Sequence, residues 1–298
     1  MKSVFVTGAA GFVGRSVVAR LAADGCAVTA LSRSAAAPSA EGFRTVRGDL
    51  MIPDAWRAAL RDADTVVHLA AAVGKADRAE FFRINRDGTA LLLREAAAAG
   101  VRRFIFTSSI AAAYKDTKYY HYAHSKQAAE AVVRGEAVPW IIVRPTLVLG
   151  RGSAIGRRFR SLGAAPILPV FGTGRVRVQP VHVDDLAAVV AGLVRRDDLT
   201  GRTLEIGGPD IVTMEELLEK VHIAIHGRQP RSVHVPLGLL RRTLGALESI
   251  SPALAPVTAG QFAAFCNDGV ASDDASVLVP GRTFRDVAAM IAEMVADV

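Results

Sequence analysis

Cysteine is nearly absent: Cys26 and Cys266 are the two thiols of a 298-residue chain, and neither has CxxC spacing or a histidine beside it. That excludes a disulfide-stapled scaffold and a cysteine-based metal site, and leaves two buried thiols. Long apolar runs are missing too. Met1-Lys2-Ser3-Val4-Phe5-Val6 is cut by Thr7-Gly8 before it reaches the length of a secretory signal, and no stretch approaches a membrane span. A reducing, cytoplasmic setting is therefore expected. Aromatic residues are 6% of the chain and do not alternate with basic ones. No helix-turn-helix or RNP pattern occurs, so a nucleic-acid partner is not expected.

What is present points to a folded enzyme-sized chain. Hydrophobic residues are 51% and charged residues 22%, which gives no sign of extensive disorder. The net charge of +7 biases the protein toward anionic molecules or surfaces. Arginines gather at 151, 157, 158 and 160, and again at 228, 231, 241 and 242. Solvated faces are the plain reading; a substrate phosphate or a membrane surface is the alternative. A small-molecule substrate is the expected partner, with a homodimer left open.

Short β-rich runs alternate with alanine-rich helical runs through the first half. Strands are predicted over Val4–Val6, Ala27–Leu31, Phe43–Arg47, Thr65–Leu69, Phe104–Thr107 and Trp140–Arg144. Helices are predicted over Gly14–Ala23, Pro53–Leu60, Phe81–Ala99 and Ser125–Arg134. Such alternation calls for an α/β fold: a Rossmann-type, doubly wound parallel sheet. Gly150–Gly163 breaks the rhythm, and a Pro, Gly and Arg-rich tract continues to Pro180 as pocket-wall loops. Val181–Leu193 and Thr203–Ile206 resume regular structure. The expected division is a dinucleotide-binding domain over 1–150 and 181–206, and a smaller, mainly C-terminal substrate lobe over 151–180 and 207–298.

Thr7-Gly8-Ala9-Ala10-Gly11-Phe12-Val13-Gly14 joins the first strand to the first helix. Glycines at 8, 11 and 14 allow a tight turn, close approach to a pyrophosphate and close packing of helix on sheet, with the helix N-terminus aimed at phosphate. After the second strand comes Ser32-Arg33-Ser34. A carboxylate there would favour NAD(H); Arg33 suits the 2′-phosphate of NADP(H), with Ser32 and Ser34 as neutral hydrogen-bonding neighbours. NADP(H) is favoured, and NAD(H) stays open.

With these residues the chain resembles the extended or atypical branch of the short-chain dehydrogenase/reductase superfamily over essentially its whole length. Gly48-Asp49-Leu50, His68-Leu69-Ala70-Ala71, Asn85 before Gly88-Thr89, and Arg144-Pro145-Thr146 match family segments. The resemblance implies that Ala10, Phe12, Val13, Asp49, Leu50, Leu69, Ala70, Ala71, Thr107, Pro145 and Thr146 join the glycines at the cofactor, with Asp49 on the adenine amine. Read alone, Asp49 is as readily a turn or capping residue.

Tyr122-Ala123-His124-Ser125-Lys126 supplies the family's Tyr-x-x-x-Lys pair. At i and i+4 on one helix face, an ammonium favours phenolate over phenol. The resemblance implies that Tyr122 exchanges a proton with substrate, Lys126 also holds the nicotinamide ribose, and Ser109 orients the substrate oxygen. Tyr114 and Lys118 repeat the spacing in a segment that reads as a loop, so Tyr122 is preferred.

Gln179-Pro180-Val181-His182-Val183-Asp184-Asp185 and Ile206-Gly207-Gly208-Pro209 resemble extended members such as sugar-nucleotide epimerases. Thr258-Ala259-Gly260-Gln261 and Asn267-Asp268 resemble a group related to a complex I subunit. Asp184 and Asp185 read as helix-capping residues, and His182 as a packed wall residue. Gln179-Pro180 stands where sugar-nucleotide enzymes place an arginine and an acidic residue. These features together point to an NAD(P)-dependent redox enzyme acting on a carbonyl or alcohol. Two alternatives remain: an epimerase or dehydratase that keeps its dinucleotide, and a non-catalytic NADPH-binding assembly or sensing protein.

Overall fold

Along β1 (Ser3–Thr7), Val4 and Val6 pack into one apolar cluster and Phe5 into another, and all three are at most 1% exposed. A strand buried on both faces belongs inside a parallel sheet. The computed structural model, which describes residues 1–33, 43–238, 240 and 259–296, places it there. Ser34, Arg241, Arg242 and Thr258 of the sequence reading lie outside the described residues.

The sheet comprises β1, β2 (Ala27–Ser32), β3 (Phe43–Arg47), β4 (Thr65–His68), β5 (Arg103–Thr107), β6 (Trp140–Pro145) and β7 (Arg202–Ile206). All neighbours are parallel, in the order β7-β6-β5-β4-β1-β2-β3. Strand order reverses between β1 and β4, and the crevice at their carboxyl ends is where such sheets bind ligands.

Helices cover both faces. On the Val4 face lie α1 (Phe12–Ala23), through Val17, Val18 and Leu21, and a later helix, Val183–Leu193, through Leu186, Val189 and Val190. On the Phe5 face lie α3 (Gly88–Ala98) and α4 (His121–Gly135), through Leu92, Leu93, Ala129 and Val133, and the short α2 (Arg78–Phe81) precedes α3 in the chain. A separate cluster built from Phe159, Leu168, Leu217, Leu218, Val221, Met290 and Met294 joins α5 (Ala154–Gly163), α7 (Met214–His226) and α8 (Val287–Ala296); Val183–Leu193 is α6.

Four predicted elements differ. Pro53–Leu60 is two 3-10 turns, Pro53–Ala55 and Arg57–Leu60. Between them Trp56 leaves helical geometry (φ −137°) to bury its ring, donating Nε1–H to the Asp49 carbonyl at 3.0 Å. The long helix predicted from Phe81 starts at Arg78 and contains a π-helical turn over Phe82–Asp87. α4 starts four residues before the predicted Ser125, which puts Tyr122 in its first turn. The break at Gly150–Gly163 holds a real helix, α5, because Ser153 caps it by accepting from the Gly156 N–H at 3.2 Å.

Candidate active site

The glycine turn is dictated by space. Gly8 has φ +72°, and a Cβ there would lie 2.6 Å from the Ala70 backbone nitrogen at the end of β4; one on Gly14 would lie 2.0 Å from the Gly8 carbonyl oxygen. The backbone of β1 thus presses directly on β4 and α1. Gly11 begins α1 without any side-chain cap, leaving first-turn N–H donors for an incoming anion.

Beside this turn is a cavity of about 410 Å³ lined by Gly8, Ala10, Gly11, Arg33, Asp49, Leu50, Leu69, Ala70 and Ala71 of the predicted set. Thr7, Leu31, Ser32, Gly48, Ala72, Glu80, Arg83 and Ile84 complete the lining. Asp49 serves the turn as well, its Oδ1 accepting from the Met51 N–H at 2.8 Å. Glu80, Arg83 and Ile84 were missed by sequence reasoning. Their signal was position: they precede Asn85 on the run that crosses the cleft. A glycine-walled cleft at a helix N-terminus fits a dinucleotide, with Arg33 and Arg83 offering positive charge at its wall.

Phe12, Val13, Gly14, Thr107, Pro145 and Thr146 do not line this cavity. Gly14 acts by packing, and Val13 packs on the sheet core. Thr146 Oγ1 donates to the carbonyls of Gln179 (2.5 Å) and Ile206 (3.2 Å), so its hydroxyl ties β6 to its surroundings.

A buried chain of hydrogen bonds runs from the glycine turn to α4. Thr7 Oγ1 accepts from the Ala70 N–H (3.3 Å) and meets His68 Nδ1 at 2.6 Å; His68 Nε2 meets Thr89 Oγ1 at 2.9 Å, and Thr89 donates to the Asn85 carbonyl at 2.6 Å. With the Thr89 proton so used, the neutral Nε2–H tautomer of His68 satisfies every link. Burial, aided by the Lys126 charge, pushes His68 down to about 3. Asn85, on the π turn, accepts from the Ala72 N–H (2.7 Å) and donates to the Ala72 carbonyl (3.1 Å) and Ser125 Oγ (2.9 Å). Ser125 donates to the Tyr122 carbonyl at 2.7 Å, so the β4 loop and the helix carrying Tyr122 are fixed together.

At the other end Tyr122 and Lys126 stand one turn apart on α4, and Ser109 opens the 3-10 turn that follows β5. Burial raises the Tyr122 pKa, opposed by its hydrogen bond with Ser109. Ser109 is itself held by accepting from the Ala111 N–H at 3.2 Å, opening a 3-10 turn over Ile110–Ala113. Lys126 is 1% exposed, donates to the Thr107 carbonyl at 2.8 Å and lies 4.7 Å above the Phe106 ring. Burial pushes it down to about 7, with Glu130 opposing. The ammonium is drawn to a carbonyl and a ring face, and Ser109 supplies the interaction that favours phenolate.

Glu130, one turn beyond Lys126, anchors the end of β5. Ser108 Oγ (2.6 Å), Arg144 Nε (2.8 Å) and Nη2 (2.7 Å), and Arg134 Nη2 (2.7 Å) all donate to its carboxylate. Burial raises the carboxyl pKa, but these donors outweigh it and hold it below its ordinary value. Sequence reasoning saw Glu130 only as part of a helical run.

The family model described as the NAD dependent epimerase/dehydratase family matches residues 4–207. The chain belongs to that family. It is an NAD(P)-dependent oxidoreductase or epimerase/dehydratase of the extended short-chain type. Similar family proteins include a ceramide reductase of Caulobacter vibrioides, 34% identical over 82% of this chain and 76% of the relative. A 2-alkyl-3-oxoalkanoate reductase of Shewanella oneidensis is 27% identical over 82% of this chain and 70% of its own length. Among solved structures, a short-chain dehydrogenase/reductase superfamily protein from Agrobacterium tumefaciens with bound NAD superposes with a TM-score of 0.66 at 25% identity, covering 78% of this chain and 86% of that one.

Other predicted residues hold the second lobe in place. The cap of α6 is His182, whose Nδ1 accepts from the Asp184 N–H at 3.1 Å, and this corrects the capping role read for Asp184 and Asp185. Asp185 is buried and accepts from Arg282 Nε (2.8 Å) and the Arg285 N–H (2.9 Å), docking the chain ahead of α8. Arg157 donates to the Gly152 carbonyl at 3.0 Å. Among the described residues no helix is long and apolar enough to cross a membrane.

Proposed function

We propose that the protein is an NADP(H)-dependent reductase of an apolar ketone, working through Ser109, Tyr122 and Lys126. The carrying observation is Tyr122 in the first turn of α4, one turn ahead of Lys126, whose buried side chain donates to the Thr107 carbonyl at the end of the strand that leads to Ser109. A protonated phenol suits the reducing direction, in which Tyr122 gives its proton to the carbonyl oxygen as the C=O π bond opens. Ser109 holds that oxygen, and Lys126 holds the nicotinamide ribose. Bound in the glycine cleft, the dinucleotide supplies the hydride that the carbonyl carbon receives. The ring of Tyr122 has Phe81 edge-on at 6.0 Å and Tyr120 at 5.7 Å, an aromatic wall suited to hydrocarbon. The names of the two relatives, reductases of a ceramide and of a 2-alkyl-3-oxoalkanoate, support a chain-bearing substrate.

A sugar-nucleotide epimerase is the second reading, favoured by family membership. Against it, Gln179 is committed within the protein, donating to the Gly208 carbonyl (2.7 Å) and accepting from the Ala271 N–H (2.9 Å), while Arg177 is held by Asp268 at 2.8 Å. Both residues fasten the lobe where a diphosphate would need free donors.

The test is single-turnover reduction of a panel of 2-alkanones and sugar nucleotides, followed by nicotinamide absorbance and product analysis. Tyr122→Phe is expected to lose turnover by roughly 10²–10⁴-fold with melt and cofactor affinity retained. Turnover equal to wild type overturns the assignment, and product isomerised without net cofactor change establishes the epimerase. Arg33→Asp is expected to weaken NADP(H) far more than NAD(H). Equal loss for both removes the NADP preference.

A further inference from the structure

We propose that Asn267 is a positioning residue for the reacting pair: from the C-terminal part of the chain it holds the connection between Ser109 and Tyr122 in a backbone shape that the connection alone would not keep. This rests on Ser109 and Tyr122 being the reacting hydroxyls of the reading above.

The two ends of that connection carry the chemistry, and each is tied inward. At the first, the Ser109 carbonyl accepts from the Ala112 N–H at 3.0 Å, the Tyr114 N–H donates to the Ala111 carbonyl at 3.2 Å, and Gln127 Nε2 on α4 donates to the Ala112 carbonyl at 3.0 Å. At the second, the Tyr120 N–H donates to the Thr117 carbonyl at 2.8 Å and the His124 N–H to the Tyr120 carbonyl at 3.2 Å, while Thr117 Oγ1 meets His124 Nε2 at 3.0 Å. Thr117 thus grips the residues on both sides of Tyr122 at the start of α4.

Between these ends the backbone is strained. Tyr119, the third residue of the turn from Thr117 to Tyr120, has φ +66°, and no other non-glycine residue has a positive φ among the described residues. Such a turn favours glycine or asparagine at this position, because a side chain in the left-handed region crowds the neighbouring carbonyl. Strained backbone persists where surrounding contacts over-determine it. Asn267, 8% exposed, supplies them as a clamp. Its Oδ1 accepts from the N–H groups of Lys115 (3.1 Å) and Asp116 (2.9 Å), and its Nδ2 donates to the carbonyls of Asp116 (2.8 Å) and Ala263 (2.9 Å), so both lone pairs and both protons of the amide are used. Three of the four bonds fall on Lys115 and Asp116, between the Ser109 turn and the Tyr119 turn. The clamp also stands on a fixed base: Asp268 holds Arg177 Nη2 at 2.8 Å, the Gly269 N–H donates to the Arg177 carbonyl at 2.8 Å, and Asp273 Oδ2 accepts from the Glu205 N–H at 2.8 Å.

The experiment measures kcat, KM and dinucleotide Kd of the full chain with the best substrate of the panel above. Asn267→Ala is expected to lower kcat roughly 10- to 100-fold, as displacement of a reacting group does, with KM and dinucleotide Kd within about twofold of wild type. Tyr119→Asn, which suits a left-handed φ, should raise kcat of the Asn267→Ala protein at least about threefold, and by more than it changes the wild-type rate, where the clamp already holds the turn. An unchanged kcat in Asn267→Ala, an equal loss of dinucleotide affinity, or no rescue by Tyr119→Asn overturns the proposal. Should the alanine protein not fold, Asn267→Asp carries the same comparison at smaller size, since its carboxylate still accepts from both loop N–H groups. If wild type turns over no member of the panel, the reading of Ser109 and Tyr122 fails separately, and hydrogen exchange decides Asn267. The Tyr120 and His124 amides should then exchange about tenfold faster in Asn267→Ala while those of β1 keep their wild-type rates, and equal exchange at Tyr120 and His124 overturns the clamp.

Discussion

At the phosphate end of the cleft the contacts are backbone on backbone, Gly8 against Ala70 and Gly14 against Gly8. At the reacting end the geometry comes from side chains, with Glu130, His68 and Asn85 holding the segments that bear Ser109, Tyr122 and Lys126. The first end tolerates no added atom. The second tolerates atoms but not a lost hydrogen bond, so the two should fail differently when altered.

The sharpest test is Gly14→Ala. Its methyl would fall 2.0 Å from a carbonyl oxygen and 2.8 Å from the Ala9 Cα, and backbone cannot step aside cheaply. A loss of about 4 kcal/mol is expected, with melt and dinucleotide affinity falling together. A Gly14→Ala protein that melts normally and binds cofactor would erase the contrast.

Glu130→Ala comes next. It leaves Arg144 and Ser108 without the carboxylate they share, at an expected cost of about 3 kcal/mol. Turnover should fall by more than cofactor affinity does, because Ser108 and Ser109 loosen while the glycine turn is untouched. Parallel losses in both would place Glu130 with the glycines.

The mildest effect is a pH slope. The folded protein holds His68 neutral down to about 3, whereas the unfolded imidazole takes a proton below 6.5. The unfolded state thus binds more protons across that window. Stability is fully present above pH 6.5 and falls as acid is added, by about 1 kcal/mol per pH unit from this group. His68→Gln should flatten the decline between pH 6.5 and 4.5, read from thermal melts. An unchanged slope would show that His68 is not held neutral.

This contrast also explains what could be read from the chain. Gly8, Gly11 and Gly14 announce themselves because a steric requirement appears as one residue type at fixed local spacing. Tyr122 and Lys126 do so because a helix face has a period. Parallel order follows from strand and helix alternation, and β1 to β6 stand within a residue or so of their predicted bounds. His68, by contrast, pairs with Thr7 and Thr89, 61 and 21 residues away, and Glu130 with Ser108, 22 residues away. Such bonds leave no local pattern, and a histidine at a strand end looks like any other. The Pro53–Leu60 turns and the π turn at Phe82–Asp87 were hidden likewise, since burial of Trp56 and the placement of Asn85 override local helical preference.

The clamp made by Asn267 also bears on how the protein comes into being. Lys115 must wait for a partner 152 residues later in the chain. The sheet that forms the dinucleotide cleft is complete in sequence at Ile206, about 60 residues earlier, a delay of several seconds at ordinary rates of synthesis. A growing chain therefore has every part of its cofactor cleft before the loop bearing Tyr114 is secured. During that interval a captured dinucleotide can steady the half-made protein, since binding the folded form favours it by mass action.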